Sequence, residues 1–202
     1  MSRLLGKSSD AVQWQRLAEA RKRSMQKYLW DQKQGLFFDY DFENGQESSY
    51  RYATTFYPLW AGLATDEQAR AVVKNLSTFE RAGGIATSVE ETQGQWDYPF
   101  GWAPIQLLAV EGMRRYGHNA EADRVSTEFL STVLENFARD RTIREKYNVV
   151  SRSSETHVKA GYSANVVGFG WTNAAFVELL RLLPPEKVNR MADAIQPATA
   201  SQ

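Results

Sequence analysis

The sequence predicts an all-α fold, and two observations carry that prediction. Apolar residues recur at the spacing of a helix face in one segment after another. Between those segments lie two long stretches, 81–102 and 140–170, rich in glycine and aromatic residues and without sustained period. A chain of 202 residues, 43% hydrophobic, is long and apolar enough for one domain with a real core, so 1–202 is read as a single domain.

Residues 11–30 read as the first helix, with Asp10 as its N-cap and Trp14, Leu17, Ala18, Met25, Tyr28 and Leu29 on one face. Gly35 is expected to stop it, and the run Asp39 to Phe42 suits a short strand or turn. Residues 54–63 look like a short buried helix. Asp66 is expected to cap a helix over 67–80 that buries Ala69, Val72, Val73, Leu76 and Phe79. Pro104 fits the first turn of the next helix, whose stripe is Ile105, Leu108, Ala109, Met113 and Tyr116. Asn119 is expected to cap a helix over 120–138, turning Ala122, Val125, Phe129, Val133 and Phe137 inward. The stretch TIREKYNVV has short strand character. Residues 171–183 return to helix, Pro184-Pro185 open a last one, and the tail 197–202 is expected to be disordered. The result is about seven helices in pairs, with both long loops on one side, where a site would be built.

Composition narrows the chemistry. Lys+Arg and Asp+Glu balance at 24 each, with no dense basic run, which argues against nucleic acid as a partner. No stretch approaches the roughly 20 apolar residues of a membrane span, and the N-terminus has no signal-peptide core. The compartment stays open between cytoplasm and periplasm, because an internal start would hide a leader. With no cysteine and only His118 and His157, neither a thiolate, a zinc site nor a histidine-based triad is indicated. If the chain is an enzyme, carboxylates carry its chemistry.

The most informative segment is QWDYPFGWAP, Gln95 to Pro104. It places two tryptophans, a tyrosine, a phenylalanine, an amide and a carboxylate on a loop entering a helix. Flat rings cover the apolar face of a pyranose, and Asp and Gln bond its hydroxyls. A core-plugging aromatic loop would look the same, and both readings stand on the residues alone. Glu145, between Arg144 and Lys146, reads by default as part of a solvated charge cluster. Trp171 could stack on a sugar or plug a helix start. Glu90, Glu91, Arg152 and His157 read as surface residues.

The segment resembles a signature of the trehalases, Gln-Trp-Asp-x-Pro-x-Gly-Trp-x-Pro, with all seven fixed positions matched. GGIATSVEETQGQWD, REKYNVV, GFGWTN and TTFYPLWAGLA resemble other trehalase segments in the right order, so the likeness runs over about 15–183. It implies an inverting glycosidase that splits α,α-trehalose into two glucose molecules, built on an (α/α)6 toroid of which this chain is the C-terminal part. The Glu of the family's Glu-Lys-Tyr segment is the general base and maps onto Glu145. Gln95, Trp96, Asp97, Trp102, Phe169 and Trp171 fall in substrate-site segments. No metal or organic cofactor is implied, since two carboxylates and water suffice.

Two departures qualify that picture. The family's Pro-Gly-Gly-Arg-Phe signature is missing from these 202 residues. So is its Ser-Gly-Trp-Asp-Phe-Ser-Ser-Arg segment, which holds the general acid. A substrate-contacting Glu-Tyr pair is replaced by Gly161-Tyr162, with Glu155 as a substitute for the Glu. The expectation is a fragment that carries the base and turns over poorly alone, with apolar edges suited to self-association or to an N-terminal half. A non-catalytic relict or sugar-binding half-domain, and another α-toroid glucosidase, are the alternatives.

Overall fold

The computed structural model describes residues 1–160 and 164–195. Gly161, Tyr162 and the tail 197–202 lie outside the described residues. Seven α-helices, 3₁₀ turns and four two-stranded ribbons make up the described chain.

Helix α1, Ser8–Tyr28, is followed by a hairpin of β1, Trp30–Asp31, and β2, Leu36–Phe37. Asp10 sits in the first turn of α1, and Lys7 is in the cap position, because the helix begins earlier than its apolar stripe does. Gly35 does not end α1; it closes the hairpin with φ +67°, a left-handed geometry suited to glycine. The Asp31 carboxylate accepts from the Lys33 and Gln34 amides at 2.7 and 3.0 Å, which fixes that turn. A second hairpin pairs β3, Tyr40–Asp41, with β4, Gln46–Glu47.

The 3₁₀ turn Ala53–Phe56 runs into α2, Tyr57–Trp60, and α3 covers Asp66–Lys74. Thr65, not Asp66, caps α3. Its hydroxyl accepts from the Gln68 amide at 3.2 Å, and Gln68 Oε1 accepts from the Thr65 amide at 2.9 Å. The helix ends sooner than its periodicity suggests, yet Ala69, Val72, Val73, Leu76 and Phe79 are all buried. A hairpin of β5, Glu80–Arg81, and β6, Gly84–Ile85, opens the first long loop. That loop ends in β7, Phe100–Trp102, which feeds α4, Ala103–Arg115. Helix α5, Asn119–Asp140, starts behind His118, which occupies the cap position expected for Asn119. Strand β8, Lys146–Asn148, lies in the second long loop, before α6, Gly170–Leu182, and α7, Pro185–Ile195.

Helix α4 is the centre of the fold and packs on α2, α5 and α6. Its Ile105, Ala109 and Met113 are buried as the stripe requires, while Leu108 and Tyr116 are half-buried. Gly112 lets α2 approach, since a Cβ there would meet the Trp60 amide nitrogen at 2.9 Å. Phe137 departs from the expected α5 stripe and is 38% exposed. Helix α1 departs furthest: none of its residues is buried, and Trp14 is 65% exposed.

The two long loops meet through backbone. Strand β7 pairs antiparallel with β8, Gly101 opposite Tyr147 and Trp102 opposite Lys146. The Gly83 amide donates to the Val149 carbonyl at 2.7 Å. Gln106, buried on α4, acts as an extra strand edge. Its Oε1 accepts from the Ile85 amide at 2.8 Å and its Nε2 donates to the Ile85 carbonyl at 2.6 Å. Gly101 sits where these pieces converge. A Cβ there would meet Val149 Cγ1 at 2.3 Å and the Ile85 carbonyl at 2.8 Å. Gly101→Ala is therefore expected to cost about 1–3 kcal/mol in urea denaturation, the range of core overpacking. Gly94→Ala, whose Cβ would meet only Thr92 Oγ1 at 3.6 Å, should stay close to the parent. Equal stability of the two variants would refute the convergence at Gly101.

Candidate active site

The β7–β8 pairing decides which side chains come together. It sets Trp102 opposite Lys146 and so brings Glu145 to the aromatic loop. Trp102 is fully buried, and its Nε1 donates to the Gln95 carbonyl at 2.9 Å, which folds the loop back over the ring. Trp96 then stacks on Trp102 with centroids 3.7 Å apart and planes 7° apart. From the start of α6, Trp171 presents its edge to both rings at 6.0 and 5.7 Å. Phe169 packs on Trp171 at 4.8 Å. Trp96 and Trp171 remain 39% and 37% exposed, so the cluster has a buried floor and two open rings.

Glu145 is linked to this cluster through Lys146. It is fully buried, as is Lys146, whose Nζ donates to Glu145 Oε2 at 2.9 Å and sits 5.1 Å from the centre of the Trp102 ring. The solvated charge cluster expected by default is not what forms. Arg144 turns away instead, donating to Asp140, to Thr142 Oγ1 and to the Asn165 carbonyl. The Glu145 backbone is fixed from two sides. Its amide donates to the Val166 carbonyl at 2.9 Å, and its carbonyl accepts from Thr172 Oγ1 at 3.2 Å. Asn165 brackets Lys146, accepting from its amide at 3.2 Å and donating to its carbonyl at 2.9 Å. A buried ion pair adds little net stability, because desolvation offsets its attraction. Such pairs in a site built from loops are candidates for function.

Asp97 has a different environment. Its carboxylate is buried and accepts from Tyr50 Oη at 2.8 Å, from the Tyr98 amide at 2.9 Å, and from Ser88 Oγ and the Thr92 amide. Those bonds close the loop from 88 to 98 around it. Glu155 is exposed and lines two cavities, one with Arg139 and Arg144 and one with Tyr98, Pro99 and Phe100. Gln95 contributes its carbonyl to Trp102, while its side-chain Oε1 is buried with no hydrogen-bond partner among the described residues. Glu90, Glu91 and His157 are exposed, as read from the sequence, whereas Arg152 straps Glu135 and Ser131 of α5 to the Ala82 carbonyl. Sequence reasoning missed Tyr50, Asn165 and Thr172. Tyr50 is 47 positions from its partner Asp97, and no periodic signal links residues at that range.

Helices whose two long loops meet over a tryptophan cluster make up part of an α-toroid scaffold. A solved structure of a mannosylglycerate hydrolase from Thermus thermophilus shares that fold, at TM-score 0.61 and 22% identity, over 78% of this chain and 37% of its own. The family model for trehalases matches residues 1–184, and the chain belongs to the trehalase family. It is 39% identical to a cytosolic neutral trehalase of Emericella nidulans over 87% of this chain and 26% of that protein. It is 36% identical to a cytosolic neutral trehalase of Saccharomyces cerevisiae over 94% of this chain and 28% of that protein. The solved neutral trehalase of S. cerevisiae superposes at TM-score 0.77 and 36% identity, covering 91% of this chain and 33% of that one. The chain thus spans between about a quarter and a third of these relatives, and its architecture is the C-terminal part of an (α/α)6 toroid.

The Asp97 bonds make a pH prediction. Burial pushes its carboxyl up, but the bonds from Ser88, Thr92 and Tyr50 outweigh burial and hold it below its ordinary 3.8. A depressed folded-state value means the stabilisation is present above the unfolded value and is lost as pH falls through the folded one. Asp97→Asn should therefore be less stable than the parent at neutral pH, with the gap closing below about pH 4. Urea midpoints across a pH series check this; a gap that stays constant down to low pH would contradict it.

Proposed function

We propose that this chain supplies the base-carrying side of a trehalose-hydrolysing site, with Glu145 as general base in an inverting reaction. The observation that carries the reading is the burial of Glu145 beside Lys146, whose Nζ stands 5.1 Å from the centre of the Trp102 ring, with the Glu145 backbone held by Thr172 and the Val166 carbonyl. In such a reaction the base takes a proton from water as it attacks the anomeric carbon. An acid on the other face protonates the departing oxygen, the two carboxyls standing roughly 6.5–9.5 Å apart. The open rings of Trp96 and Trp171 suit the C–H face of a glucosyl unit. The unpartnered Gln95 Oε1 suits a sugar hydroxyl, which would satisfy a buried acceptor. Asp97 serves by shaping the loop that presents Trp96, and Gly168, at φ +79°, turns the chain into α6 ahead of Phe169 and Trp171.

The acid belongs to the Trp-Asp-Phe-Ser-Ser-Arg segment of the family, which these 202 residues do not contain. Its natural source is the N-terminal half of a toroid. The bare face of α1, with Trp14, Leu17 and Tyr28 exposed, is a surface for that half to cover.

The test is glucose release from trehalose by the 202-residue chain, alone and mixed with the N-terminal half of a trehalase toroid. Alone, turnover is expected to be about 10²–10⁴-fold below the mixture, the contribution of a general acid. Glu145→Gln should abolish the activity of the mixture. Full turnover by the chain alone would sink the half-site reading. An inactive mixture whose tryptophan fluorescence still responds to trehalose would mark a sugar-binding half-domain. Preference for maltose or kojibiose would indicate another α-toroid glucosidase.

A further inference from the structure

Glu128, half-buried on α5, carries a carboxyl that its cationic neighbours do not serve. Its Oε2 is buried and has no hydrogen-bond partner among the described residues. Four cations and Glu135 line the same cavity of about 560 Å³, and each cation donates elsewhere. Arg124, one turn earlier on α5, donates to both carboxylate oxygens of Glu80, at 2.7 and 3.1 Å. Arg152 holds Glu135, Ser131 and the Ala82 carbonyl. On α7, Lys187 donates to Asp123 at 2.9 Å, and Arg190 Nε donates to the Glu186 carbonyl at 3.2 Å. The acid beside Glu128 is Glu80 of β5, a like charge.

An ionised carboxylate placed there is short of donors and faces a second carboxylate. One proton relieves both conditions. A protonated carboxyl donates to Glu80, whose oxygens retain lone pairs beyond the two bonds from Arg124. Burial first, and the Glu80 charge second, push the Glu128 carboxyl up to about 7, against a smaller downward pull from Arg124 and Arg152. We propose that Glu128 is a proton-operated latch between α5 and the β5–β6 hairpin. Protonated, it ties Glu80 to α5 alongside Arg124. Ionised, it repels Glu80 and competes with it for Arg124, its neighbour at i−4 on the same face of α5. The hairpin then loosens. Its Gly83 amide reaches the Val149 carbonyl and its Ile85 bonds Gln106, so the latch bears on the junction that seats β7 on β8. None of this depends on Glu145 being a base.

A carboxyl raised in the folded state stabilises fully below its ordinary 4.5, and that contribution is lost as pH rises through about 7. The test compares the parent with Glu128→Gln, which keeps the shape and a permanent donor toward Glu80. In urea denaturation the variant should gain on the parent as pH rises from about 4.5 to 8, by about ten- to a hundredfold in the folding equilibrium, partial exposure discounted. His118 and His157 are present in both chains, so their titration cancels. Amide hydrogen exchange locates the effect: Gly83 and Ile85 should exchange faster in the parent than in the variant near pH 8 and alike near pH 5. In the parent alone, carbon NMR of labelled glutamates should show one carboxyl titrating near pH 7, a reading that needs no variant to fold. A stability gap that does not change with pH would overturn the latch. So would equal exchange of Gly83 and Ile85 in the two chains near pH 8, or glutamates that all titrate below about pH 5.5.

Discussion

Three residues of antiparallel pairing, Phe100 to Trp102 against Lys146 to Asn148, hold the functional part of this molecule together. Helices α4 and α5 would pack without them, but Trp102 and Lys146 would not be set opposite each other. The pairing needs close approach, and Gly101 permits it where any side chain would strike Val149 and Ile85. Gln106 supports the same junction from α4, presenting an amide to Ile85 as a neighbouring strand would. A buried amide that satisfies both a backbone donor and a backbone acceptor leaves neither of those groups orphaned at the junction. From this point the positions of Trp102, Lys146 and Glu145 follow by register.

The two buried carboxylates illustrate how environment separates roles. Asp97 is surrounded by hydroxyl and amide donors from its own loop and from Tyr50, an arrangement that stabilises a fixed negative charge and a fixed loop. Glu145 is paired with an ammonium beside aromatic rings, and its backbone is pinned from α6 and from Val166. The first is a structural anion. The second sits in a buried ion pair, whose desolvation cost offsets much of its attraction, so its contribution to the fold is small.

Helix α1 shows the opposite situation. Its sequence has the stripe of a core helix, yet no residue on it is buried within this chain. A stripe states only that a face seeks apolar cover, not where the cover comes from. The fold neighbour of which this chain covers 33% supplies the physical context: a toroid closes its inner and outer helices against successive neighbours, and part of that ring lies beyond these residues.

Much of the architecture is legible in the sequence. Helical spacing places α3, α4 and α5 and most of their buried faces, because packing one helix face is a local consequence of where apolar residues recur. The caps of α3 and α5 fall one residue before Asp66 and Asn119, since a cap is decided by hydrogen-bond geometry that several neighbouring polar residues could satisfy. The aromatic motif and the family likeness point to Trp96, Trp102, Glu145 and Trp171; the tertiary structure packs the three rings together and links Glu145 to Trp102 through Lys146. Only that structure decides that Glu145 is buried rather than solvated, that Lys146 and not Arg144 pairs with it, and that Asp97 faces Tyr50 across 47 positions while Glu155 opens into another cavity. The reason is physical: side-chain periodicity reports the face a residue occupies on its own element, whereas a carboxylate's partners are set by which distant backbone segments can approach closely enough to share hydrogen bonds.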